Sequence, residues 1–280
     1  MTATLARLRP YRAALSSRFL QMLQYRSAAI AGFVTQCWWG GLKVMVLAAF
    51  YRSAGGSAGA SLSLGDAVTY VWLAQGLLAL LPWMGDPEVA QAVRTGSVVY
   101  DRLRPVDHYT LWFVRSTGWI AARALPRLAL MLGFAALLLP LIGAKEWAWR
   151  PPADSAALLV FLLSAMLALL LSAAMVMLLN IAAVAALNER GVNTLAMPVV
   201  VVFSGNLLPL ALLPESWQTA LLVQPLAGLL DIPARLYFGH LTGWAAAGGL
   251  GLQAAWILVL VWAGRAALQR TLGRLEVQGG

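Results

Sequence analysis

The chain has 280 residues, of which 61% are hydrophobic and only 11% charged, and its formal net charge is +9. A mean hydropathy of +0.75 excludes an ordinary water-soluble domain, in which roughly a quarter of residues are charged. With a single cysteine, Cys37, no disulfide within the chain and no cysteine-based metal site can form, and the basic balance reads as a membrane-orientation signal rather than a nucleic-acid surface.

Residues 1–27 read as a basic leader. Leu5, Leu8, Tyr11, Leu15, Phe19, Met22 and Leu23 recur at helical spacing between Arg7, Arg9, Arg12, Arg18 and Arg26. That pattern predicts an amphipathic helix lying on the membrane, a disordered basic tail being the alternative. A long apolar run follows, so the leader is expected to be retained rather than cleaved as a signal. Six spans are predicted, at about 28–51, 66–84, 122–143, 156–187, 192–213 and 245–264. Runs such as AALLVFLLSAMLALLLSAAMVMLL lack the alternation of barrel strands, and an open sheet would leave backbone groups unpaired in lipid, so the fold class is all-α. With both termini in the cytoplasm, most arginines lie inside and only Arg52, Lys145, Arg150 and Arg235 lie outside. Trp38, Trp39, Trp72, Trp83, Trp147, Trp149, Trp244 and Trp262 mostly fall near span ends, as aromatic belts do.

Residues 85–121 form the longest cytoplasmic loop. Pro87 and Glu88 mark a helix start, Gly96 a stop, and Arg104–Pro105 a second break. A short capped helix between two spans suits a lever; the alternative is a connector whose arginines bind lipid headgroups. The fourth span at 156–187 could reach about 48 Å, longer than the ~30 Å hydrocarbon core, and is expected to stop at the glycine of NERG, 188–191. Beyond it, Pro198, Pro209, Pro214, Pro225 and Pro233 cut 198–239 into pieces too short to span. Helix-start signals at Pro214–Glu215 and Asp231–Pro233 predict two short helices over 214–239, dipping into the outer leaflet or packing as an outer loop.

Little in the chain is fit for chemistry. The only lysines, Lys43 and Lys145, are followed by Val44 and Glu146, so the phosphate-binding pattern G-x-x-x-x-G-K-[ST] is absent. The two histidines, His108 and His240, are placed on opposite sides of the membrane, and although Ser204 and His240 could approach each other, nothing in their spacing demands a serine–histidine pair. No catalytic residue, cofactor site or metal site is therefore assigned. Lys43, inside the first span, either faces a polar cavity or snorkels outward; Asn180, in the fourth, is an interhelical hydrogen-bond partner or a substrate ligand. Asp231 and Arg235 are spaced to pair across one helical turn.

Two stretches carry a resemblance. The short helix followed by Arg94, Gly96, Leu103, Arg104 and Pro105 resembles the first cytoplasmic loop of ATP-binding-cassette type-two permeases, compact six-span branch with a separate ATPase. FSGNLLPLALLP at 203–214, then Gln224–Pro225 and IPARLYFG at 232–239, resembles that branch's signature after the fifth span. The resemblance implies an export permease of the bacterial inner membrane, and spans rich in Leu, Ala, Val and Met suggest an apolar or amphipathic path that suits a drug, lipid or peptide. It implies two partner ATPases that bind ATP and Mg, a second permease subunit, identical or paralogous, and no nucleic acid. The leader and the coupling loop, with Glu88, Arg94, Gly96, Asp101, Leu103, Arg104 and Pro105, would sit on the ATPases. Pro209, Pro214, Glu215, Trp217, Pro225 and Pro233 would belong to an outer gate. An ion-driven carrier or channel, or a membrane-embedded enzyme, is the competing reading.

Overall fold

The structure, a computed structural model, describes residues 2–53, 62–97, 100 and 105–274. Every regular element among them is helical: α1 (Thr2–Leu23), α2 (Arg26–Ser53), α3 (Leu64–Gly76), α4 (Pro87–Arg94), α5 (His108–Leu132), α6 (Ser155–Ala186), α7 (Glu189–Phe203), α8 (Glu215–Val223), α9 (Asp231–Tyr237) and α10 (Gly243–Arg274). Four helical stretches among the described residues are long and apolar enough to cross a membrane: Ala29–Ser53, His108–Leu141, Ser155–Ala186 and Gly243–Thr271. The chain is an integral membrane protein.

The core is built around α6, which packs against α5, α7, α9 and α10. Ala168, Leu171, Ala173 and Ala174 are fully buried along it. Small side chains let neighbouring helix backbones approach, which is how helices gain dispersion contacts when lipid is no less apolar than leucine. α2 and α5 close over α3, whose Trp72 is 1% exposed and donates to Trp147 O at 2.8 Å. Trp72 and Trp149 are thus core residues rather than belt residues; Trp149 donates to Tyr237 Oη at 2.8 Å. Trp38, Trp244 and Trp262 are exposed.

The second predicted span is broken. α3 ends at Gly76, a short 3-10 turn covers Leu78–Leu80, and Leu81 is extended, with φ −74° and ψ 121°. Pro82 has no N–H to continue the ladder and clashes with a helical residue before it, so the chain must leave the helix there. The fifth predicted span is also shortened: α7 ends at Phe203, and Gly205 turns the chain with φ 85°.

α5 begins at His108, well inside the stretch read as loop, because Asp107 caps it by accepting from Thr110 N at 2.9 Å and its first turns are covered by α1. Farther along, α5 passes through a π-helical turn, Gly133–Leu138, before Leu139–Leu141. Pro140 brings no N–H, and the carbonyl of Ala135, five residues back, accepts instead from Trp149 N at 2.9 Å. The glycine stop expected at 188–191 is not where α6 ends. Leu187 takes the left-handed conformation (φ 51°), Asn188 caps α7, and Gly191 already lies in α7, donating to Asn188 Oδ1 at 2.9 Å.

Candidate functional site: a buried ionic junction and a cationic cleft

The leader is helical, but its packed stripe is not the leucine stripe. Tyr11, Ala14, Arg18 and Met22 turn toward the protein, while Leu8, Leu15, Leu20 and Leu23 are exposed. The spacing is three, four and four residues, one face of a helix. At Gly118 of α5 a β-carbon would lie 2.7 Å from Leu15 O, so the backbones of α1 and α5 touch. Asp107 N donates to Tyr11 Oη at 2.9 Å, which ties the leader to the start of α5.

Arg18 is the centre of this junction. It is 6% exposed, and its guanidinium meets Asp86 Oδ1 at 3.0 Å and pairs with Glu88. Glu88 also pairs with Arg115 of α5. Two cations and two carboxylates therefore neutralise one another where α1, α4 and α5 meet. Burial pushes the Asp86 carboxyl above its ordinary value, and the neighbouring Arg18 opposes that shift. Asp86 Oδ1 also accepts from Glu88 N at 3.0 Å, capping the first turn of α4.

From the other side, Asn180 of α6 accepts from Asp86 N at 2.7 Å, and Asn193 of α7 accepts from Gly85 N at 3.1 Å. Arg94, at the last turn of α4, pairs with Glu189 at the start of α7 at 3.0 Å. α4 is thus held by α1, α5, α6 and α7 together. Gly96, with φ 71°, follows it. Of the coupling residues expected from sequence, Glu88, Arg94 and Gly96 belong to this junction or border it, Pro105 is exposed just before α5, and Asp101, Leu103 and Arg104 lie outside the described residues. Asn180 sits at this junction, not beside Lys43.

Sequence reasoning missed Arg18, Asp86, Arg115, Glu189 and Asn193 as partners. One signal was present: Arg18 falls seven residues after Tyr11 and four before Met22, on the leader's packed face.

The outer-gate candidates are spread over an irregular but well-bonded region. Pro209 and Pro233 are buried, Pro225 is half-buried, and Pro214 and Trp217 are exposed at the start of α8; the Glu215 side chain lies outside the described residues. Carbonyls that no helix would satisfy find side-chain donors. Gln218 Nε2 donates to Leu213 O at 3.0 Å, Gln224 Nε2 to Phe203 O at 2.8 Å, Trp256 Nε1 to Val223 O at 2.7 Å, and Gln253 Nε2 to Gly228 O at 2.7 Å. Asp231 accepts from Leu210 N at 3.2 Å and from Arg235 Nε at 2.6 Å, so the expected pair across one turn is formed. This is how non-helical backbone survives where water is scarce.

Lys43 of α2 reaches across to this region, donating to Asn206 O at 2.6 Å. A cleft of about 300 Å³ opens beside it, walled by Trp39, Val46, Tyr70 and Leu208. Ser204 is fully buried and accepts from Asn206 N at 3.3 Å, while His240 faces Asp66 at 3.8 Å, so each is engaged with a different partner.

A family model described as ABC-2 family transporter protein matches residues 38–279. No curated protein and no solved structure matches the chain. The family match takes in α3 to α10 and the larger part of α2, and hence both the junction partners of Arg18 and the whole cationic cleft. The family is one of transport permease domains that carry no ATPase motif of their own and work with separate ATP-binding subunits. An all-helical membrane chain with a short helix clamped between its spans, and no phosphate-binding loop, belongs to the ABC-2 transporter family as a permease subunit.

Proposed function

We propose that the chain is the permease subunit of an ATP-driven exporter for lipophilic or amphipathic molecules, worked by two separate ATPase subunits that bind ATP and Mg. A second permease subunit, identical or paralogous, completes the pathway. Both termini face the cytoplasm of a bacterial inner membrane, and α1 and α4 lie against the ATPases. The short helices α8 and α9 dip into the outer leaflet and gate the exit.

One observation carries this reading: Arg18, Asp86, Glu88 and Arg115 lock the leader, α4 and α5 into one buried ionic junction. A helix only eight residues long cannot transmit force unless its base is fixed, and here it is fixed on four sides. Closure of a partner against α4 then moves α1 and α5 together. The exposed surface beside the junction, lined by Gln91, Thr95, Ser97 and Tyr100, offers polar groups rather than leucine and suits a water-soluble partner.

The test is purification of the tagged chain from its native host in mild detergent. A nucleotide-hydrolysing protein is expected to copurify. Its activity should respond to a lipophilic substrate and lose that response when Arg104→Ala is combined with Pro105→Gly. A chain that purifies with no nucleotide-binding partner would overturn this reading in favour of an ion-driven carrier or channel.

A further inference from the structure

Lys43 lies within the stretch Ala29–Ser53, and among the described residues no carboxylate stands within ion-pair distance of it. An ammonium carries three N–H donors. Asn206 O takes one at 2.6 Å, and Asn206 Oδ1 lies at 3.5 Å, the limit of a hydrogen bond. One donor at least is left unspent beside a cleft whose other walls are Trp39, Val46, Tyr70 and Leu208. The Tyr70 hydroxyl is already committed, donating to Gly205 O at 3.1 Å. A charge at this depth is costly, and retaining one without a counter-charge calls for a ligand that brings it.

The surroundings define the rest of that ligand. Trp39, Val46 and Phe50 lie on the same face of α2 as Lys43 and are exposed, as is Leu207 at the edge of the cleft, so an apolar surface continues from it. A second cation lies along the same helix face. Arg127 of α5 rests against Gly32 of α2, where a β-carbon would be 3.0 Å from its Nη2. Gly32 and Lys43 are eleven residues apart, close to three full turns, which puts them on one face of α2 about 16 Å apart. Arg127 too has no carboxylate within ion-pair distance among the described residues.

We propose that the Lys43 cleft is a binding site for an anionic amphiphile, with its phosphate or carboxylate on the Lys43 ammonium and its chains on the apolar face of α2. Arg127 supplies a second station for the same headgroup on that face. The bilayer is the source of this ligand, since only a molecule with a tail uses the apolar walls. Read together with the permease function proposed above, on which this last step rests, the site names the class of cargo: acidic lipids rather than neutral or cationic drugs.

The test is native mass spectrometry of the full chain released from nanodiscs containing phosphatidic acid and phosphatidylcholine with identical acyl chains. The wild-type chain is expected to retain phosphatidic acid over phosphatidylcholine by about tenfold, and inorganic phosphate should not displace it. Lys43→Gln, which keeps a donor for Asn206 O but removes the charge, should clearly lower the preference, leaving what Arg127 holds, and Lys43→Arg should preserve it. If Lys43→Gln does not fold, Val46→Glu serves instead, since it sets a carboxylate one turn from the ammonium and should lower the preference too. Equal retention of both lipids, or an unchanged preference in the charge-removing variant, overturns the proposal. Displacement by inorganic phosphate overturns the bilayer source. The readout needs no ATPase, so failure of a nucleotide-binding partner to copurify would sink the ATP-driven exporter reading and leave this site standing.

Discussion

Gly205 shows how much one position can carry. Its φ of 85° belongs to the left-handed region, and a β-carbon there would lie 2.3 Å from the Tyr70 hydroxyl. Both the conformation and the space forbid a side chain. Gly205→Ala is expected to destabilise the protein by about 2 kcal/mol, and combining it with Tyr70→Phe should recover part of the loss, because the crowding goes while the strained φ stays. Thermal unfolding in detergent, followed by circular dichroism, measures both; a double variant no more stable than the single one would mean that the steric account is wrong. Leu187 makes the contrasting case. It holds a left-handed backbone without being glycine and is 75% exposed, so the turn from α6 to α7 rests on the Asn188 cap rather than on the residue that bends.

The short helix α4 is positioned chiefly by polar and charged contacts, unlike the long helices of the bundle. α4 has eight residues, too few to be stable alone, and its place is set by Arg18, Arg115, Asn180 and Glu189. Removing one member of a buried ion pair leaves the other uncompensated, which costs more than removing both. Arg18→Met should therefore lower stability by about 3 kcal/mol, and Arg18→Met with Asp86→Asn by clearly less. Melting curves of the two variants in the same detergent decide it. A single variant that melts like the wild type would show that α1 is held by its apolar contacts alone and that the junction is incidental.

At the scale of the whole molecule, an irregular region is fastened to a bundle of long helices. Gln253 of α10 is the fastener: it is 1% exposed, accepts from Ser164 Oγ at 2.9 Å, and donates to Ser164 O at 3.1 Å and to Gly228 O at 2.7 Å. One amide thus joins α10, α6 and the turn before α9. Gln253→Leu roughly keeps the volume but takes the donor from Gly228 O and the acceptor from Ser164 Oγ, so a loss of about 3 kcal/mol is expected. Hydrogen exchange should then quicken first across 225–237 rather than in α6. Uniform quickening along the chain would show that the contact is not what holds the region in place.

Much of this architecture was written locally. Length and apolarity marked the long helices, Pro87 and Gly96 bracketed α4, Pro214 and Asp231 marked the starts of α8 and α9, and Asp231 with Arg235 declared a pair by spacing alone. These are properties of a segment and its nearest neighbours, so hydropathy, caps and proline geometry were enough to read them. The early ends of α3 and α7 were less legible, because an apolar run scores the same whether or not a tertiary partner waits to satisfy the broken backbone. What only the tertiary structure decided was which distant charges meet. Arg18 and Asp86 are separated by 68 residues, and Lys43 and Asn206 by 163. Nothing local marks such partners, since desolvation and charge compensation act through space, and a charge left in lipid settles wherever the fold brings it a partner.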